Sequence, residues 1–181
     1  MRLFIAADIN SRSKDLIENK LNYIKTEIKN DIKWTEKDKW HLTLKFIGES
    51  STQEKENLIK VLKNIDFKEK NEYIQFAKFD AFPSPDSARV IYLGLDRGEK
   101  ELIELQQRLE NELIKYGFEK DERDYIPHLT LGRNKGEAFK IKKELLAPNL
   151  FNIYARIESI TLYQSQLKKS GPEYIELFSI K

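Results

Sequence analysis

The tetrapeptide His-Leu-Thr-Leu occurs twice, at residues 41–44 and 128–131, and these copies hold both histidines of the chain. They stand 87 positions apart, and the same offset lays Arg2-Leu3-Phe4-Ile5 on Arg89-Val90-Ile91-Tyr92. A strand (2–8, then 89–95), a helix (13–29, then 99–116) and the tetrapeptide therefore recur in one register. Recurrence at this scale marks a duplicated structural unit. It predicts an α+β protein of two lobes related by a pseudo-twofold axis. Two antiparallel sheets face a central cleft, with helices on the outside.

The rest of the chain fits around that repeat. Ser13 is placed to cap the first helix, whose stripe is Ile17, Leu21, Ile24 and Ile28. Residues 40–47 read as a strand ending at Gly48, and 52–65 as a helix opened by Thr52, Glu54 and Glu56. Residues 73–82 alternate as a strand does. The turn-rich stretch 81–89 follows near the middle, and 137–147 reads as a short helix. Two strands, 150–167 and 173–179, close the chain around a Gly171-Pro172 turn. No linker-like stretch divides the 181 residues, so one bilobed domain spanning 1–181 is expected.

Composition narrows the chemistry. The chain has no cysteine, which excludes a disulfide scaffold, a thiolate metal site and a thiol nucleophile. Lys and Arg number 32 against 30 Asp and Glu, so this is not a protein that coats nucleic acid along its length. A local site for a few phosphates remains open. No apolar run is long enough to cross a membrane as a helix. The N-terminus turns polar after about eight residues, too soon for a secretory leader. A cytoplasmic, monomeric protein is the expectation.

Side chains alternate between the faces of a strand. His41 and Thr43 therefore share one face while Leu42 and Leu44 share the other, and His128, Thr130, Leu129 and Leu131 repeat the arrangement. The leucines anchor each strand in its lobe. The imidazole and hydroxyl project about 6–7 Å apart along the strand. A twofold axis brings the two His/Thr pairs to opposite sides of one groove. Imidazole titrates near neutral pH, so two of them can hold opposite protonation states as base and acid. Two hydroxyls and an arginine beside them suit attack of water on a phosphodiester. Which histidine is acid and which is base stays open at this level.

Rival readings of the same residues are weaker. A metal site wants a third ligand, and the chain has no third histidine. A serine-hydrolase elbow, a P-loop and a dinucleotide-binding glycine pattern are all absent. A purely structural role explains one lone histidine better than a doubled His-x-Thr. A non-catalytic binder of RNA ends is the rival from another class.

The order of these motifs resembles the two-histidine phosphoesterase superfamily. Within it the chain is most similar to the RNA 2′,3′-cyclic phosphodiesterases, also called 2′-5′ RNA ligases. The similarity runs through MRLFIAADI, IKWTEKDKWHLTLKFIGE, ARVIYLGL, YIPHLTLGR and ITLYQSQLKKSGPEYIEL, and so spans essentially the whole chain. The resemblance implies a bilobed fold with its site between the lobes. It implies opening of a terminal 2′,3′-cyclic phosphate to a 2′-phosphate without metal or other cofactor, on RNA ends or nucleotides. It makes His41 the proton donor, His128 the proton acceptor, and Thr43 and Thr130 phosphate-binding hydroxyls. The ligase name implies the reverse joining reaction, and relatives acting on other small phosphodiesters are the alternative.

Supporting residues are read from position. Arg133 lies five residues after His128, out of phase with it by strict alternation. A bulge at Gly132 would return it to the groove as a phosphate contact. Arg89, beside the 81–89 turn, is the second candidate substrate contact. Lys45 shares the His41 face by parity, with a solvated lysine as its ordinary role. Phe4, Trp34 and Tyr163 are core aromatics with a base-stacking alternative. The Lys-rich stretch 135–143 reads as a solvated helix face.

Overall fold

A computed structural model describes residues 1–67, 73–147, 150–169 and 171–181. Its first half runs β1 (Arg2–Ile9), α1 (Ser11–Glu27), β2 (Ile32–Trp34), β3 (Leu42–Glu49), α2 (Thr52–Asn64) and β4 (Tyr73–Phe82). Its second half runs β5 (Val90–Leu95), α3 (Glu99–Lys115), β6 (His128–Asn134), β7 (Ile153–Lys168) and β8 (Gly171–Ile180). Strand, helix and His-x-Thr strand recur in both halves, as the repeat requires. Among the described residues, the second half has no α-helix at the place equivalent to α2. Where a helix over 137–147 is expected there is only a short 3-10 turn, Lys143–Leu146. The apolar stripe there is too short to sustain a helix by packing.

The two antiparallel sheets are β3-β1-β7-β8 and β2-β6-β5-β4-β7, with β7 shared. The first residues of β7 pair with β4, and those from Ile157 onward pair with β1. Across the other side of the cleft, β3 meets β6 at a single pair, Leu42 with Leu129. Those two leucines are the same position of the repeat, so the pseudo-twofold axis passes between them. The antiparallel register then sets His41 opposite Thr130 and Thr43 opposite His128. The two sheets are therefore one hydrogen-bonded surface, folded around the axis.

One core lies behind that surface. Leu3, Ile5, Leu42, Leu44, Ile91, Leu93, Leu129 and Leu131 bury against the stripes of the three helices: Ile17, Leu21 and Ile24; Leu58, Val61 and Leu62; Leu102, Leu105, Leu109 and Leu113. Each such side chain adds about 1.5–3 kcal/mol on burial. The helices thus cover the face that carries the leucines, leaving the His and Thr face open.

Local details depart from expectation for identifiable reasons. Asn10, not Ser13, is the cap residue of α1. Ser13 is buried inside the helix, where its one hydroxyl proton is shared between Asn10 Oδ1 at 2.7 Å and the Tyr154 carbonyl at 2.9 Å. Ser51 caps α2 by a reciprocal box with Glu54. Gly171 and Pro172 open β8, with Pro172 paired to Leu167, rather than forming the turn before it.

Candidate active site

A cleft of about 460 Å³ opens on the uncovered face. It brings His41, Thr43, His128, Thr130 and Arg133 together. Each histidine is held the same way. The Nδ1–H of His41 donates to the Lys39 carbonyl at 2.8 Å, and that of His128 to the Ile126 carbonyl at 2.7 Å. A carbonyl only accepts, so Nδ1 carries the proton in both neutral rings. Nε2 is left with its lone pair toward the cleft, where that of His41 lies 3.0 Å from Thr43 Oγ1.

Aromatic rings fix the imidazoles laterally. Phe4 packs 5.1 Å from His41 and Tyr174 meets it edge-on at 5.4 Å. Phe82 and Tyr92 sit edge-on to His128 at 5.1 and 5.3 Å, and stack on each other. This apolar packing has an electrostatic consequence. Burial pushes the His41 imidazole down to about 4, opposed by its backbone hydrogen bond and Asp8 and assisted by the cationic Lys14 and by His128 once that ring takes a proton. Burial also lowers His128, with Arg133 adding to the effect and the Ile126 carbonyl opposing it. Both rings are neutral near pH 7 when the cleft holds no anion. The cleft is otherwise cationic: Arg2, Lys33, Lys39 and Arg133 line it, and Glu36, its one carboxylate among the described residues, pairs with Lys39.

Two matched β-bulges decide which neighbours reach the cleft. In β3 the pairing with β1 skips Leu44, and in β6 the pairing with β5 skips Leu131. The skipped residues are again repeat equivalents. Each bulge reverses the alternation beyond it. Arg133 therefore returns to the cleft face, opposite Val90. Lys45 goes the other way: it is buried on the helix side, so parity read without the bulge misplaces it. Phe46 takes the cleft position and is 64% exposed.

Gly132 makes the bulge in β6 possible at close quarters. A Cβ there would meet Ile32 Cγ2 at 2.7 Å and Trp34 Cε3 at 3.0 Å.

Arg89 does not line the cleft; three positions from Tyr92, it is out of phase with the face that carries the ring packed on His128. Its repeat equivalent Arg2 does line it. Of the three aromatics singled out in the sequence, Phe4 and Trp34 border the cleft. Tyr163 stands behind Phe4, its hydroxyl donating to Asp8. Tyr174 and Phe46 went unremarked in the sequence. Phe46 carried a signal, being the repeat equivalent of Arg133, but only a known bulge turns that equivalence into a cleft position. Among the described residues no group of three or more His, Asp or Glu is placed to hold a metal ion.

A bilobed α+β fold with a cleft lined by two inward His-x-Thr strands defines a two-histidine phosphoesterase. The family model described as LigT like Phosphoesterase matches twice in succession, over residues 13–92 and 93–174, and the chain belongs to that family. The RNA 2′,3′-cyclic phosphodiesterase of Methanothermobacter thermautotrophicus is 32% identical over 98% of this chain and 96% of its own length. The protein of the same description from Methanocaldococcus jannaschii is 33% identical, over 96% of both chains. Among solved structures, Escherichia coli LigT complexed with 3′-AMP superposes with a TM-score of 0.74 at 26% identity, covering 99% of this chain and 96% of that one.

Proposed function

We propose that this protein hydrolyses 2′,3′-cyclic phosphate ends of RNA to 2′-phosphates by paired histidine acid–base catalysis. The observation that carries the reading is the doubled anchor: two imidazoles across one cleft, each with Nδ1 bound to the carbonyl two residues upstream. In this reading both Nε2 atoms act on one phosphorus held between them. The relatives' shared description supplies the substrate class.

In the proposed reaction His128 Nε2 takes a proton from water as the oxygen attacks phosphorus. The bond from phosphorus to the ribose 3′-oxygen breaks, and His41 Nε2–H protonates that departing oxygen. Thr43, Thr130 and Arg133 hold the non-bridging oxygens, where charge is redistributed in the transition state. The anionic substrate favours the imidazolium form, offsetting the burial that keeps His41 neutral in the open cleft. Phe46, exposed at the cleft edge, offers a face for the adjoining base. With a 5′-hydroxyl in place of water as the nucleophile, the same groups run a joining step in the same direction and leave a 2′-5′ linkage.

The test is turnover of a 2′,3′-cyclic mononucleotide in excess EDTA, with the product isomer identified. The expected product is the 2′-phosphate. Binding without turnover, loss of activity on chelation, or a 3′-phosphate product overturns the reading.

A further inference from the structure

Strands β3 and β6 share a single ladder pair, so contacts outside the ladder help to set how closely the two histidines approach. Lys45 makes one of these. It lies two residues beyond Thr43, and the bulge at Leu44 turns it away from the cleft into the core, where its side chain is 5% exposed. Its Nζ reaches Glu110 Oε1 at 2.9 Å, the Glu119 carbonyl at 2.9 Å and Asp121 Oδ2 at 3.2 Å. The ammonium donates to Glu110 and to the Glu119 carbonyl, and Asp121 adds a second carboxylate beside it. Glu110, also buried, accepts a second bond from Gln106 at 3.0 Å.

All of these acceptors belong to the second half of the chain. Glu110 is on α3, and Glu119 and Asp121 lie in the segment between α3 and β6. That segment also holds Ile126, the residue whose carbonyl accepts from Nδ1 of His128. The repeat equivalent of Lys45 is Gly132, so the second lobe makes no reciprocal tie. A buried ion pair is a weak source of stability compared with apolar side chains of the same size. Its placement between the two catalytic strands is the feature that needs a reason.

We infer that Lys45 is a positioning residue: it fastens the strand carrying His41 to the segment that delivers His128, and so sets the two imidazoles on one phosphorus. The inference rests on the proposed hydrolysis. The test compares the wild type with Lys45→Met/Glu110→Met, which removes the pair together and leaves no buried charge alone. The expected result is a thermal midpoint within a few degrees of wild type, KM for a 2′,3′-cyclic mononucleotide within about threefold, and kcat lower by roughly 10–100-fold. The ¹⁵N signal of His128 Nδ1 should shift while that of His41 stays in place. A folded double variant with wild-type kcat overturns the inference alone. A wild type that does not turn over the substrate overturns the proposed function and this inference with it. If the double variant does not fold, Asp121→Asn decides. Asp121 is half exposed, so that variant keeps the core pair and loosens only the segment. A several-fold loss of kcat without a KM change supports the inference, and an unchanged kcat overturns it.

Discussion

Phe46 and Arg133 occupy the same position of the repeat, each just past a β-bulge, and both face the cleft. The duplication has thus placed an aromatic ring on one side of the site and a guanidinium on the other. The two halves share the His-x-Thr scaffold and differ in what they offer a substrate: one face suits a base, the other a phosphate.

That asymmetry separates their effects on turnover. A hydrogen bond to a charged group contributes about 1.5–3 kcal/mol. Arg133→Gln should therefore lower kcat/KM by roughly 10–100-fold, chiefly through kcat, because charge is redistributed on the non-bridging oxygens in the transition state. Phe46→Ala removes a stacking face worth about 1–3 kcal/mol per base. It should raise KM for RNA ends by several-fold with little change in kcat. Steady-state kinetics on both variants checks the split, and a reversed pattern exchanges the two assignments.

The histidines themselves should be indispensable and individually so. His41→Ala and His128→Ala should each lower kcat by roughly 10²–10⁴. The double variant should lose little more than either single, because groups that act in one step are not additive. Thr43→Ala and Thr130→Ala should cost less. Circular dichroism spectra matching the wild type are expected throughout, since each side chain lies on the open side of the sheet. Near-normal kcat in either histidine variant removes that residue from the mechanism.

Much of this was readable in the sequence because the repeat does two jobs at once. His41 and His128 mark the duplication, and alternation alone puts them with Thr43 and Thr130 on one face. The bulges at Leu44 and Leu131 were not readable as such. A bulge is one residue of slack in a ladder, and neither leucine differs from an ordinary strand residue. Parity therefore assigns Lys45 to the cleft when it is buried against α3. Gly132 was the one local hint, since a glycine inside a strand pattern marks a bulge or a close approach. Arg89 stays outside the cleft that its repeat equivalent Arg2 lines, because side-chain phase at a strand end is set by the ladder, not by the repeat.

Gly132 makes a stability prediction. Gly132→Val puts a branched side chain where even a Cβ meets Ile32 and Trp34 within 3.0 Å. Overpacking of this kind costs about 1–3 kcal/mol, so the midpoint of chemical unfolding should fall. Since β2 pairs with β6 there, at Trp34 with Gly132, Arg133 should be displaced as well and kcat reduced. An unfolding midpoint equal to wild type shows that β2 yields freely and is not a fixed wall of the site.

Acid should destabilise the free protein through His41. Its pKa is about 4 when folded, against about 6.5 for a free imidazole. Between those values the unfolded chain binds a proton that the folded chain does not, so stability falls as pH drops. The contribution is intact above about 6.5 and lost progressively toward 4, with a slope of at most about 1.4 kcal/mol per pH unit. His41→Ala should flatten this part of the stability profile. Denaturant titrations from pH 4 to 8 measure it, and parallel profiles for wild type and variant contradict the burial of that imidazole.

Catalysis should show the same lowered values in one profile and not in the other. kcat/KM reports the free protein, where burial lowers both histidines; kcat reports the complex, where a bound phosphodiester anion favours both imidazolium forms. Productive turnover needs one ring protonated and one neutral, so each profile is bell-shaped, with apparent values belonging to the pair. The optimum of kcat/KM should lie on the acid side of 6.5. That of kcat should lie at higher pH, because the substrate's charge offsets the desolvation that keeps His41 and His128 neutral. Arg133→Gln should move the kcat/KM optimum upward, since the guanidinium is one of the groups that lowers His128. Coincident optima for kcat and kcat/KM are the result that contradicts this account, for they leave the substrate anion no influence on the histidines it is held between.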